Sequence, residues 1–317
     1  MVEYYLGKRG RFAYGKESTY GGSVSSSEWG FIPINNITPT SKSTMEQINT
    51  LDETPSRDVS DYFESLRTYG ATVEGLIQHF AFCMLAWGDD NYSSPNHVIT
   101  GTHDIPSFAM NFGYDKSSGN NHIIEQTGCK VNKLDISCEK GEFLKFNAEV
   151  IAQKGTTPTS FRSWYNGASK RHYSITEMEP YHYSGSTITI NDDVYCATDS
   201  IKLSINNNLL SEPTLCAPNG KRIGEPVPQI REHDASVTVR MKEPDLYDLW
   251  EIDDYVSGTT SFRFVSGSST LTFTLNDMRF ESAISPVNLS DGIVLVELPM
   301  KCTSISVNEN NSIGVEY

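Results

Sequence analysis

No stretch of the 317-residue chain approaches the ~18 consecutive apolar residues of a membrane-spanning helix. The longest apolar segment covers 80–87 and its neighbours, so no membrane span is expected. Basic residues are scarce too: 25 Lys+Arg stand against 40 Asp+Glu, a formal net charge of −15. That balance argues against a duplex-gripping surface, which needs clustered cations to displace phosphate counterions. The opening MVEYYLGKRGRFAYGKES has no apolar run behind a basic end, so a secretory signal is not expected and synthesis in the cytoplasm is. The six cysteines, Cys83, Cys129, Cys138, Cys196, Cys216 and Cys302, include no CxxC pair. They are expected as reduced thiols, with Cys83 and Cys129 as small core residues. Charged content of 21% is too low, and aromatic content of 11% too high, for a disordered chain. The length leaves room for two domains of ~150 residues or for one large all-β unit.

Catalytic signatures are missing as well. Gly7, Gly10 and Gly15 form a glycine-rich start, but there is no GxxxxGK[ST] and no strand-GxGxxG-helix order to cradle a phosphate. Lys8, Arg9 and Arg11 read as part of an arm. There is no GxSxG elbow for a serine nucleophile and no HExxH to set two metal ligands on one helical face. His97, His103 and Asp104 come nearest to a metal cluster, yet no common site uses their spacing, and a solvated loop is expected there. His172 and His182 flank a Tyr-rich stretch, RHYSITEMEPYHY, which reads as linker packing more readily than as a sugar-stacking surface. In Asp89-Asp90 and Asp253-Asp254 the adjacent carboxylates point apart and cannot flank a scissile glycosidic bond. No catalytic, metal-ligating or cofactor-binding residue is expected, and no enzyme activity.

What is present is β patterning. Short alternating runs at 131–136, 144–150, 187–190, 201–205, 236–241 and 271–275 are separated by Gly, Asn, Asp and Pro clusters, as in sandwiches and barrels. Asn191-Asp192-Asp193 reads as a hairpin turn. Two segments predict helices: 75–87, an apolar run ended by Gly88, and 243–253, opened by Pro244. The polar stretches 15–30, 88–96 and 153–170 predict loops or arms.

The two halves share a pattern. With Val73 aligned to Val239, Phe80 meets Leu246 and Cys83 meets Leu249. Cys129-Lys130-Val131 matches Met278-Arg279-Phe280, and Phe146-Asn147-Ala148-Glu149-Val150 matches Val294-Leu295-Val296-Glu297-Leu298. One interval differs, implying about 17 extra residues in the first copy, within 88–106. Chance likeness among β-strands would give similarly few identities; a true duplication divides the chain into an arm (1–30), a first module (31–152), a linker (153–185) and a second module (186–317).

Within 144–150 one face carries Leu144, Phe146, Ala148 and Val150, and the other Lys145, Asn147 and Glu149. Val294, Val296, Leu298 and Met300 repeat the inner face, with Glu297 in the place of Glu149. Such a mixed-charge outer face fits ordinary solvation or the wall of a water-filled bore.

At these residues the chain resembles the tail tube proteins of long-tailed phages and archaeal tailed viruses. The resemblance covers nearly the whole length, through GKESTYGGSV, FIPINNITPT, TVEG, IPSFAMNFG, TGCKVNKLDIS and GEFLKFNAEVIAQKG, then IKLSINNNL, SVTVRMKEPDLYDLW, LTFTLNDMRFESA and DGIVLVELPMKC. It implies a mainly β fold of two tandem tail-tube-like sandwich or barrel modules, each with a flanking helix, closing into a ring on oligomerisation. It also implies a non-enzymatic virion protein whose stacked rings surround a lumen for DNA. Duplicated members resemble trimeric, pseudo-hexameric rings and single-module members hexamers; partners would be further copies, the tape measure, the tail terminator and the baseplate or tip. On that reading the lumen-lining residues are Glu74, Lys130, Asn132, Lys145, Asn147, Glu149, Arg240, Arg279, Glu281 and Glu297. The arm 1–30, the loop 45–68 and the insertion 88–106 would make ring-to-ring contacts. The Tyr and Trp content leaves a carbohydrate-binding or carbohydrate-cleaving sandwich as the alternative, and a secretion-system inner tube as a third possibility.

Overall fold

A computed structural model describes residues 10–25, 29–48, 61–114, 122–157, 171–172, 179–196, 198–213, 222–240, 255–281 and 295–310. The predicted alternation turns most of them into strands. In chain order these are β1 (Gly10–Lys16), β2 (Trp29–Phe31), β3 (Ile34–Ile48) and β4 (Asp61–Leu76), then the helical turn α1 (Ala81–Met84). Next come β5 (Gly88–Ser93), β6 (Asn96–Gly101), β7 (Phe108–Tyr114), β8 (His122–Glu139), β9 (Lys145–Ala152), β10 (Lys154–Thr156) and β11 (Arg171–His172). β12 (His182–Ile190), β13 (Asp193–Val194), β14 (Thr198–Asn206) and β15 (Glu232–Arg240) follow. The last are β16 (Thr260–Ser266), β17 (Ser269–Asn276), β18 (Arg279–Phe280), β19 (Leu295–Lys301) and β20 (Ser304–Asn310).

They form two sheets, antiparallel except where β11 runs parallel to β2. The first sheet is organised around β8, which is long enough to serve two neighbourhoods. Its second half pairs with β9 and β14, completing an eight-strand run β3-β4-β9-β8-β14-β15-β19-β18. Its first half pairs with β7 and β10, and β7 leads on through β1 and β2 to β11. Gly128 marks the change of direction with φ +63°, and a Cβ there would lie 2.8 Å from that of Gln153. The second sheet has the order β13-β12-β16-β17-β20-β6-β5. Within the eight-strand run the first four strands stand in the order first, second, fourth, third along the chain, and the last four do the same. Val73 faces Ala148 just as Val239 faces Val296.

The core lies between the sheets. Ala71, Val73, Phe146, Ala148, Val237, Val239, Val296 and Leu298 meet Ile188, Phe262, Phe264, Phe273, Ile305 and Val307 of the second sheet in one continuous cluster. Cys83 and Cys129 are buried in it as free thiols, as expected, and burial pushes both thiol pKa values up.

Residues 77–87 correct the first helix prediction. Only α1 is helical, because β4 extends to Leu76 and everything from Ile77 to Trp87 is buried. A segment without a solvated face gains nothing from an amphipathic helix. It acts instead as a plug threaded between the sheets. Phe80 meets Trp87 and Phe273 edge-on at 5.2 and 5.6 Å, and Trp87 donates its indole N–H to the Ile305 carbonyl at 2.8 Å. Glu309 from β20 accepts the Phe80 N–H and the Tyr181 hydroxyl, at 3.2 and 2.7 Å. The second predicted helix, 243–253, lies outside the described residues.

Two predicted loops are strands. The stretch 88–96 opens a hairpin, β5–β6, which joins the second sheet beside β20. His97 is consequently buried, its Nδ1 2.7 Å from Asp90 Oδ2 and its ring 4.6 Å from that of Tyr92, while His103 stays exposed. Among the described residues no group of acidic, histidine and cysteine side chains is placed to hold a metal. In the predicted loop 45–68, the described parts prolong a β3–β4 hairpin whose far half pairs with no other strand. The hairpin turn at Asn191-Asp192 is present, with both residues at positive φ (52° and 70°) between β12 and β13. No helix among the described residues is long and apolar enough to cross a membrane.

Candidate functional site

The face of the eight-strand run that turns away from the core is polar from one edge to the other. Because directly opposed residues share a face, the register gives one unbroken row: Asn36, Glu74, Asn147, Asp135, Ser204, Asp234, Lys301 and Arg279, one residue from each strand. A neighbouring row holds Thr38, Thr72, Glu149, Lys133, Asn206 and Glu232. A third holds Lys145, Ser137, Lys202, Ser236 and Pro299. The middle of the face is a groove of about 740 Å³ lined from β4 across to β19, including Glu74, Lys133, Asp135, Lys145, Asn147, Lys202, Asp234, Glu281 and Lys301.

Of the ten residues predicted to share a surface, the sheet brings eight together here: Glu74, Lys145, Asn147, Glu149, Arg240, Arg279, Glu281 and Glu297. Lys130 and Asn132 do not join them. A bulge between Val131 and Lys133 reverses the alternation along β8. Lys130 is therefore only 3% exposed, with its ammonium 2.7 Å from Glu225 and 5.9 Å from the centre of the Tyr20 ring. Asn132 sits in the bulge, where its Oδ1 and its carbonyl accept the Leu209 and Asn207 N–H groups. The same bulge puts Lys133 and Asp135 on the polar face, two residues the sequence reading missed. Lys202 and Ser204 were missed too, although the alternation within 201–205 carried the signal; Asp234 and Lys301 lie just outside the alternating runs 236–241 and 294–300.

The face is nearly balanced in charge, and most of its cations are engaged. Lys133 is 3.0 Å from Asp135, Arg240 is 3.1 Å from Asp199, and Lys301 is 2.5 Å from Asp234 and 3.9 Å from Glu281. Lys145 bonds Glu142 at 2.5 Å, and the Arg279 guanidinium lies 4.1 Å from the centre of the Tyr255 ring. The carboxylates beside Lys145 and Lys301 raise both ammonium pKa values. Lys202 has no carboxylate in ion-pair reach among the described residues. A self-neutralised, hydrated surface of this kind has few free donors with which to hold a polyanion. Nor does it offer a sugar an aromatic platform: Phe146, the aromatic residue of the groove, is buried on the core side.

The site is thus a broad polar sheet face with a groove along its middle, and its outermost strands pair with no further described strand. A family model for phage tail tube proteins matches residues 7–309, nearly the whole chain, and the protein belongs to that family. No curated protein matches it significantly. It is thus a structural component of the virion tail, of the kind that builds a tube with other tail proteins.

Proposed function

We propose that this chain is the major tail tube subunit, that three copies close into a pseudo-sixfold ring, and that the eight-strand polar face forms the ring's inner wall. The observation that carries the proposal is the unbroken polar row from Asn36 to Arg279, with a groove along the middle of the sheet face. The identical strand order of its two halves supports reading 31–152 and 186–317 as copies of one module. Three two-module subunits then supply six repeats around the axis. The outer edge of β3 and the edge at β18 and β19 pair with no described strand, and joining them between subunits removes two exposed edges at once. Each subunit contributes about one third of the bore wall.

DNA leaving the capsid would slide along paired charges and hydroxyls that offer it few lasting contacts. The far half of the β3–β4 hairpin would reach the next ring; the predicted arm 1–30 is less suited, since β1 and the start of β2 within it are built into the first sheet beside β7. The β5–β6 hairpin is less suited to that role, since it is built into the second sheet. Tape measure, terminator and baseplate or tip proteins are the expected further partners, and catalysis is not part of the role. Negative-stain microscopy of purified protein tests the reading: rings or hollow tubes are expected, and a discrete monomer at every concentration contradicts it.

A further inference from the structure

Away from the polar face, β6, β15 and β20 enclose a second cavity of about 540 Å³ beside the buried Trp87. Its lining includes Arg231, His233, His103, Gln229, Thr303 and Ser304, and none of its described lining residues is acidic, in a chain with 40 Asp+Glu. Arg231 is half-buried and bonds only neutral acceptors: its Nε donates to Asn207 Oδ1 at 2.7 Å and its Nη2 to the Thr102 carbonyl at 3.1 Å. No carboxylate lies within ion-pair reach among the described residues. The contrast with Lys130, Lys133, Arg240 and Lys301, each held by a carboxylate, is sharp.

The guanidinium is also held in place. Asn207 is buried and its Nδ2 is anchored to the Ala86 and Val131 carbonyls at 3.0 and 2.9 Å, which fixes Oδ1 toward Arg231. Position 101 is glycine where a Cβ would stand 2.6 Å from Arg231 Nη1. His233 lines the same cavity at 7% exposure, and its Nδ1 has no hydrogen-bond partner among the described residues. A charge withdrawn from water is normally paired or fully hydrogen-bonded, because burial takes away its solvation. Two donors of Nη1 and one of Nη2 remain for such a partner.

We propose that this cavity is an oxyanion site, in which Arg231 receives a carboxylate or phosphate group and the surrounding hydroxyls and imidazoles complete its hydrogen bonds. The volume exceeds that of a bare phosphate, so the anion is the charged end of a larger ligand or of a side chain. It reaches the protein either as a free small molecule or as a carboxylate of a neighbouring copy.

The test is calorimetric titration of the unassembled full-length chain with inorganic phosphate at constant ionic strength. Saturable one-site binding is expected, weakened at least about tenfold by R231Q through loss of charge-assisted bonds. Q229E changes an exposed side chain at the cavity and leaves the fold alone. By supplying an internal carboxylate it should weaken phosphate binding to a similar degree. Absence of saturable binding to the wild type overturns the proposal, as does unchanged affinity in folded R231Q or, should R231Q not fold, in Q229E. Repeating the titration on assembled tubes distinguishes the sources. Binding lost on assembly assigns the site to a neighbour's carboxylate, and binding retained assigns it to a free oxyanion. Because the deciding titration uses unassembled chain, its failure leaves the tube reading untouched.

Discussion

His79 shows how much a single buried group governs conditions of stability in this protein. Burial, with His97 adding in the same direction, lowers its pKa from 6.5 to about 3, and burial lowers that of His233 to about 4. Between those values and 6.5 the unfolded chain binds more protons than the folded one, so stability is lost as pH falls through that window. His79 carries the larger share of that loss, since its shift exceeds that of His233. Glu17 acts oppositely: burial raises its carboxyl pKa, a strain relieved as pH falls. Urea unfolding at neutral and acidic pH should therefore show wild type losing several kcal/mol and His79→Gln losing distinctly less; identical profiles would show that His79 does not titrate against the fold. Tyr181→Phe removes the hydroxyl that Glu309 Oε1 accepts inside the core. It should cost about 1–3 kcal/mol in the same measurement, the penalty for a buried acceptor losing its donor.

At the scale of elements, the far half of the β3–β4 hairpin stands apart from the rest of the described sheet. Its far half is a two-stranded ribbon carrying Met45, Tyr62 and Phe63 at 57%, 57% and 51% exposure, and isolated hairpins are marginal in water. Replacing all three by Ser should leave the melting temperature of the unassembled chain nearly unchanged, since surface changes usually stay within about 0.5 kcal/mol each. It should nonetheless shorten or abolish tubes seen by negative stain; normal tubes would remove the hairpin from the stacking contacts. Strand faces were legible in the sequence wherever alternation was regular, as in 144–150, because a two-residue period leaves one assignment open. The bulge at Asn132 was not: it depends on Leu209 and Asn207 docking from elsewhere in the chain, and it alone misplaced Lys130. Residues 77–87 misled for a related reason. An apolar run records burial, and whether a buried run becomes helix or plug is set by its neighbours, here Glu309, Ile305 and Asn207.

For the whole molecule, the acid excess does not fall on the polar face. Three chains carry −45 formal charges per proposed ring, yet the polar face is close to neutral, with Lys133, Arg240 and Lys301 each answered by a carboxylate. Low adhesion to DNA would come from pairing of charges more than from bulk repulsion. Replacing Glu74, Glu149 and Glu297 together by Lys should make assembled tubes retain DNA, with affinity falling steeply as salt rises. Unaltered DNA retention would indicate that these residues do not meet the bore. Which sheet face turns inward decides what lines the tube, and a cryo-EM cross-section of an assembled tube measures that directly. Three subunits per ring with the row Asn36, Glu74, Asn147, Asp135, Ser204, Asp234, Lys301 and Arg279 against the lumen is the predicted result. The same row on the outer surface, or buried between rings, would contradict it.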